Sequence, residues 1–162
     1  MRTLILIRHG KSSWADPARP DRERELDSRG QRDAPAMGRR LAKRGVRPDL
    51  IVASPAQRAL ATARLIAAEL PARHREIIVD ERLYGATPLD LLAVVQGLDK
   101  QLHCVMLIGH NPGLSEFAHT LCDEVAELPT CGVAAMEFDV KSWPEIGRAT
   151  LAGVDLDRPG RH

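Results

Sequence analysis

Two arginines and two histidines of this chain follow apolar runs, in an arrangement that suits the handling of a phosphoryl group. Arg8 and His9 come at the end of the first run. Arg58 lies shortly after the second run and His110 shortly after the fourth. Guanidinium groups offer forked donors that match phosphate oxygens and stay charged at any working pH. A neutral imidazole nitrogen is a competent nucleophile toward phosphorus, so the four residues predict an anion pocket that contains a nucleophile.

Taken singly, these residues have ordinary explanations, and it is their joint arrangement that favours a site. A lone histidine at a strand end is most often a hydrogen-bond partner of loop backbone. Rival phosphate motifs fail on spacing: Gly10-Lys11-Ser12 resembles the end of a P-loop, but Ile5 holds the position of its first glycine. A cysteine-based phosphatase would need an arginine six residues after its cysteine, and the sequence has none there. The sequence also has no His-x-x-x-His pair to suggest a metal site.

Four aliphatic runs predict the strands that position the site. Continuous apolar runs of this length are typical of parallel strands that are buried on both faces. The carboxyl ends of such strands meet at one sheet edge, where open α/β folds bind ligands. We therefore predict a three-layer α/β/α sandwich with a mostly parallel sheet and an antiparallel edge strand, the latter over 148–153. The four runs are 4–7, 50–53, 77–79 and 105–108.

Capping residues predict where the helices between these strands begin and end. A helix over 27–44 should end at Gly45, and Pro35 in its interior should either kink it or force it to restart. The next helix is predicted to begin with Ser54 as its cap, which places Arg58 in the first turn. Two further helices should follow the third and fourth strands.

Composition and charge exclude several classes of function. Lys and Arg number 23 against 22 Asp and Glu, which argues against a general binder of nucleic acids or membrane surfaces. The basic residues between 39 and 47 are expected to form a solvated helix face. The apolar stretch at the N-terminus is too short for a signal peptide, and nothing else approaches membrane-spanning length. The three cysteines form no CxxC pair, so we expect reduced thiols and a cytoplasmic protein. We also expect a monomer.

These residues resemble the histidine phosphatase superfamily, also called phosphoglycerate mutase-like, and within it the small SixA-type phosphohistidine phosphatases. The resemblance reaches to about residue 153 and implies a single domain over 1–162. The segments that carry it are Arg8-His9-Gly10 with Lys11-Ser12-Ser13-Trp14, the stretch from Arg24 to Gly30, Ser54-Pro55 with Arg58, Gly109-His110-Asn111-Pro112-Gly113 and Leu128-Pro129-Thr130.

The resemblance implies a metal-independent phosphatase without a cofactor, in which His9 becomes phosphorylated. Glu81, in a segment similar to the one that bears the general acid of the mutases, would take that role. The residues that would bind the phosphoryl group are Arg8, Arg58, His110, Gly10 and Ser12. The implied substrates are phosphohistidine proteins. A phosphatase of small phosphorylated molecules and a non-catalytic phosphate-binding domain remain the alternatives.

One departure from the family pattern bears on the substrate. Mutases carry an asparagine six residues after the nucleophile, where this chain has Ala15. The chain also lacks the long insertions that enclose phosphoglycerate in those enzymes. Both departures favour an open phosphatase pocket that admits a bulky substrate such as a phosphorylated protein.

Overall fold

All four predicted strands are present, in a sheet that has six strands. The computed structural model describes residues 1–160. The strands are β1 (Arg2–Arg8), β2 (Leu50–Ala53), β3 (Ile77–Val79), β4 (Cys104–Gly109), β5 (Val133–Phe138) and β6 (Leu151–Asp157). Their order in the sheet is β3-β2-β4-β1-β5-β6. The first four are mutually parallel, β5 is antiparallel to β1, and β6 is antiparallel to β5. The predicted α/β fold with a mostly parallel sheet is confirmed.

Helices cover both faces of this sheet and complete the three predicted layers. They are α1 (Ser28–Lys43), α2 (Gln57–Ala67), α3 (Pro88–Gln96) and α4 (Gly113–Leu121). Successive side chains of a strand point to opposite faces. Ile5 and Ile7 of β1 accordingly lie in the core with α1 and α2, while Leu4 and Leu6 lie in the core with α3 and α4. Burial on both sides therefore explains the unbroken aliphatic run.

The first helix forms where the sequence predicts it. The carboxylate of Asp27 accepts the backbone N–H of Gly30 at 2.9 Å and caps the N-terminus. Gly45 follows the C-terminus with a φ of 81°, a conformation that glycine adopts without a steric penalty. The helix runs without interruption through Pro35, so the alternative in which it restarts there is excluded.

The predicted start of the second helix is wrong by two residues. Ser54 does not cap it: α2 begins at Gln57, and Ala56 is its cap residue without a side-chain hydrogen bond. The Ser54 side chain is fully buried and lies against His110 instead, with 2.7 Å between its Oγ and Nε2 of the imidazole. A partner across the sheet edge thus replaces the local cap. Arg58 still falls in the first turn, as predicted.

The edge strand lies further along the chain than expected. Its predicted range, 148–153, contains a short 3-10 turn, and the strand itself is β6. Asp157 at its end forms ion pairs with Arg40 of α1 and with Arg44, the residue directly after α1. These pairs link the end of β6 to the end of α1 and engage two of the basic residues between 39 and 47. No helix in the described part of the chain is long and apolar enough to cross a membrane.

The first turn of α1 packs tightly on the loop after β1, which gives a test of the fold. A Cβ on Gly30 would lie 2.3 Å from the carbonyl oxygen of Lys11. We expect Gly30→Ala to destabilise the protein by about 1–3 kcal/mol, although alanine is favoured over glycine in a helix by about 1 kcal/mol. Urea denaturation measures the difference. Gly153→Ala is the control, because a Cβ there meets nothing within 4 Å. Equal stability of the two variants would contradict the packing described.

Candidate active site

The residues singled out in the sequence meet at the carboxyl edge of the sheet. β1 and β4 pair in parallel with Arg8 opposite Gly109, so His9 and His110 follow at the same level on neighbouring strands. Their ring centroids are 5.0 Å apart. Arg8 and Arg58 act electrostatically on both rings. The structure therefore brings together two imidazoles and two guanidiniums, as the sequence predicts.

His9 is held in one tautomer by its neighbour. Its Nδ1 lies 2.7 Å from the carbonyl oxygen of Gly10. Because a carbonyl can only accept a hydrogen bond, Nδ1 carries the ring proton and Nε2 carries the lone pair. The residue is only 8% exposed, so the unprotonated Nε2 is held in a fixed orientation.

Both imidazoles are neutral at physiological pH. Burial, assisted by the positive charges of Arg58 and Arg8, lowers the pKa of His9 to about 3. Burial and Arg58 lower the pKa of His110 to about 4. Charging either ring would require a cation to be buried beside two guanidiniums. The neutral, nucleophilic form is therefore the stable one across the working range of pH.

The second histidine has one nitrogen directed at Ser54 and one without a protein partner. Ser54 Oγ accepts the backbone N–H of Ala56 at 3.3 Å, which leaves its own proton for Nε2 of His110. In that arrangement the ring proton of His110 lies on Nδ1. This atom is buried and has no hydrogen-bond partner within residues 1–160. It can donate to an oxygen of a bound anion.

Arg58 is fixed by Asp21, a residue that the sequence analysis missed. Nη1 and Nη2 of Arg58 donate to the carbonyl oxygen and to Oδ2 of Asp21, at 2.7 and 3.0 Å. The carboxylate also accepts the Tyr84 hydroxyl at 2.5 Å and Arg24 at 2.9 Å. These bonds, with that from Tyr84 the strongest, lower the pKa of Asp21 to about 2. Asp21 lies in a Pro- and Arg-rich loop that carried no local signal of this contact.

Arg8 is hydrogen-bonded to the segment that precedes β5. Its Nη1 donates to the carbonyl oxygen of Leu128 at 3.1 Å. The side chain of Asn111, directly after His110, donates to the same oxygen at 2.9 Å. Nε of Arg8 is buried and has no hydrogen-bond partner in the described part of the chain.

Gly10 and Ser12 are engaged in holding the loop. The N–H of Gly10 donates to Thr62 Oγ1 at 2.9 Å, and a Cβ on Gly10 would come within 3.1 Å of Leu26. The hydroxyl of Ser12 is buried and accepts a hydrogen bond from Arg24. Contact of either residue with a phosphoryl group stays a prediction.

Glu81 lies on the rim of the site. Its carboxylate is exposed and accepts a hydrogen bond from Arg22 at 2.7 Å. Arg22 in turn lies over the ring of Tyr84, and that ring is nearly perpendicular to the ring of His110, with 5.6 Å between the centroids. A role of Glu81 as proton donor stays a prediction, because the carboxylate in contact with Arg58 is that of Asp21. Within residues 1–160 no three His, Cys, Asp or Glu side chains cluster as a metal site would require.

Comparisons with known proteins identify the family of this chain. Residues 4–85 match the model of the histidine phosphatase superfamily, branch 1. An uncharacterized protein of Mycobacterium tuberculosis is 30% identical over 165 residues, which cover 94% of this chain and 100% of that protein. The chain therefore belongs to the histidine phosphatase superfamily, and it is a histidine-phosphatase-type enzyme.

Within that superfamily, the overall fold is that of the SixA-type branch. A crystal structure from Agrobacterium tumefaciens, of a protein named as phosphohistidine phosphatase SixA, superposes with a TM-score of 0.83 at 25% identity, over 98% of both chains. A 2,3-bisphosphoglycerate-dependent phosphoglycerate mutase of Thermobifida fusca is 36% identical over 93 residues. That match spans 53% of this chain and only 37% of the mutase.

The lowered pKa values of the two histidines predict how stability depends on pH. Between pH 6.5 and about 4 the unfolded chain binds a proton at each site and the folded chain does not, so acidification favours unfolding. We expect the free energy of unfolding to fall by about 2 kcal/mol per histidine from pH 7 to pH 5. Urea denaturation at the two pH values measures the loss.

The variant His9→Asn supplies the control for this prediction. It removes one of the two titrating groups, so the loss between pH 7 and pH 5 should be roughly halved. An unchanged loss in the variant would show that His9 is protonated normally in the folded protein.

Proposed function

We propose that this chain is a metal-independent phosphatase that forms a phosphohistidine on His9 and then hydrolyses it, with phosphohistidine side chains of proteins as its substrates. The observation that carries the proposal is the hydrogen bond from Nδ1 of His9 to the Gly10 carbonyl. It leaves the lone pair of a neutral imidazole on Nε2, in a pocket with two permanent cations. A nucleophile and a clamp for phosphate oxygens are thereby present together.

The first step transfers the phosphoryl group to the protein. Nε2 of His9 attacks the phosphorus atom, and the bond from phosphorus to the leaving nitrogen breaks with its electron pair on that nitrogen. Arg8, Arg58 and Nδ1 of His110 donate hydrogen bonds to the non-bridging oxygens. Because these donors are fixed before the reaction, they stabilise charge on the oxygens without reorganisation. A leaving imidazole that carries a proton on its other nitrogen departs neutral and needs little help from an acid.

The second step returns the protein to its starting state. Water attacks phosphorus, the bond to Nε2 breaks with its electron pair on His9, and the product is dihydrogen phosphate, which releases one proton to the solvent as it becomes the dianion. The Gly10 carbonyl keeps the proton of His9 on Nδ1 throughout, so the same tautomer is regenerated. Inorganic phosphate then leaves the pocket.

The surface around the pocket favours a protein-borne substrate. Trp14 is 69% exposed, and its ring is stacked against Arg24 with 3.3 Å from the guanidinium carbon to the ring centroid. Exposed aromatic side chains beside a site are common contacts in protein interfaces. Ala15 and the lack of mutase-type insertions support the same open access.

One copy of the chain suffices for this function. β1, the segment after β2, and the end of β4 supply every residue in the proposed roles, so we propose a single domain that acts as a monomer. The cysteines of the described part, Cys104, Cys122 and Cys131, are free thiols. Free thiols suit the cytoplasm, where we expect the protein to act.

Covalent catalysis is tested by trapping the intermediate. After brief incubation with a phosphorylated substrate and a quench in base, which preserves phosphohistidine, the peptide that contains His9 should gain the mass of one phosphoryl group. His9→Asn should show neither the mass increment nor turnover. An active protein without the increment would exclude the covalent route.

The clamp is tested by a matched pair of variants on α2. Arg58→Ala should lower kcat/KM by about 10²–10³-fold, as expected for a lost transition-state donor. Arg64→Ala removes an exposed cation from the same helix and should leave kcat/KM within about twofold. Similar losses in both variants would mean that Arg58 acts only through net charge.

The substrate class is tested by comparing kcat/KM for a phosphohistidine protein, sugar phosphates and an aryl phosphate. The proposal expects the phosphohistidine protein to be preferred by at least tenfold. Preference for a sugar phosphate would assign the small-molecule alternative. Phosphate binding without turnover of any of the three would assign the non-catalytic alternative.

A further inference from the structure

We propose that Asp21 is the positioning residue of this site, acting on the phosphoryl group through Arg58; the inference rests on the proposed function. Both terminal nitrogens of Arg58 donate to Asp21, one to its backbone carbonyl and one to its carboxylate. A guanidinium held at two points is fixed in its plane and in its rotation about the side-chain axis. The directions of its remaining N–H donors are thereby fixed.

Asp21 is itself held from two further sides. Tyr84 donates its hydroxyl to Oδ2 and Arg24 donates to Oδ1. Arg24 is only 8% exposed, and its other nitrogens donate to the backbone of Ser13 and to the hydroxyl of Ser12. The carboxylate is therefore immobilised although nearly half of it is exposed. Because Asp21 is held in this way, it can keep the guanidinium of Arg58 in one position.

The charge of Asp21 has a second, opposing effect on a bound anion. The carboxylate is ionised throughout the working range of pH, and its field also reaches His110. It repels a phosphate dianion in the ground state while it orients the donor that the transition state needs. Removal of the charge should therefore tighten phosphate binding and slow the reaction. A residue that served only to stabilise the fold would not produce this combination.

The test uses Asp21→Asn, which keeps the size of the side chain and removes its charge. Its control is Glu23→Gln, an exposed carboxylate of the same short 3-10 turn, Asp21–Glu23. With an aryl phosphate as substrate, Asp21→Asn should lower kcat by 10- to 100-fold. The Kd of inorganic phosphate, measured by calorimetry, should fall two- to fivefold. Glu23→Gln should change neither value by more than twofold.

A double-variant cycle establishes that Asp21 acts through Arg58. In an Arg58→Ala background, Asp21→Asn should lower kcat by less than twofold, because the side chain that it positions is absent. If the loss in kcat of the double variant equals the product of the losses of the two single variants, the proposal is overturned. If Asp21→Asn does not fold, Tyr84→Phe removes one of the bonds that hold the carboxylate and should lower kcat two- to tenfold.

Vanadate binding separates this inference from the proposed function. Vanadate adopts the five-coordinate geometry of the transition state, so the ratio of the vanadate Kd to the phosphate Kd reports positioning without turnover. Asp21→Asn should raise that ratio at least tenfold, and should leave it unchanged in the Arg58→Ala background. If the wild-type chain hydrolyses no substrate but the variants change the ratio of Kd values in this way, the phosphatase function fails and the positioning role stands. If the wild-type chain is active and the ratio is unchanged in Asp21→Asn, the positioning role is overturned.

Discussion

The chemistry of this site depends on the hydrogen bond between Nδ1 of His9 and the carbonyl of the next residue. A histidine can use either nitrogen, and only an acceptor fixed relative to the ring makes the choice permanent. Gly10 is such an acceptor because its own backbone is immobilised. Its N–H is bonded to Thr62, and the backbone N–H of Cys131 reaches the carbonyls of Arg8 and His9. Two neighbouring segments thus hold the peptide that selects the tautomer.

Burial has opposite consequences for the two kinds of basic side chain in the site. The imidazoles lose their charge when they are buried beside the arginines, since their protonated forms are the ones that desolvation penalises. The guanidiniums cannot lose theirs, so each needs acceptors: the Leu128 carbonyl for Arg8 and Asp21 for Arg58. The result is a site with two neutral imidazoles and two permanent cations side by side.

The parts of the structure that local patterns encode could be predicted from the sequence. The run before Arg8 predicts a doubly buried strand, and Gly45 predicts a helix end, because the neighbours along the chain determine both. Ser54 and Asp21 could not be placed in the same way. Their partners, His110 and Arg58, lie 56 and 37 residues away in the sequence. At Ser54 the local helix-capping pattern is present, and the distant histidine overrides it.

The position of β1 in the sheet has a consequence for how the protein is made. β1 leaves the ribosome before its sheet partners β4 and β5, which begin at Cys104 and Val133. β1 can therefore pair only late in synthesis, and this pairing must offset the entropy that is lost when the long intervening loop closes. Until then its four aliphatic side chains are exposed on a nascent chain, where chaperones recognise such segments. His9 therefore meets the second imidazole of the site only after β4 and His110 have been translated, so a product truncated before them carries His9 without His110.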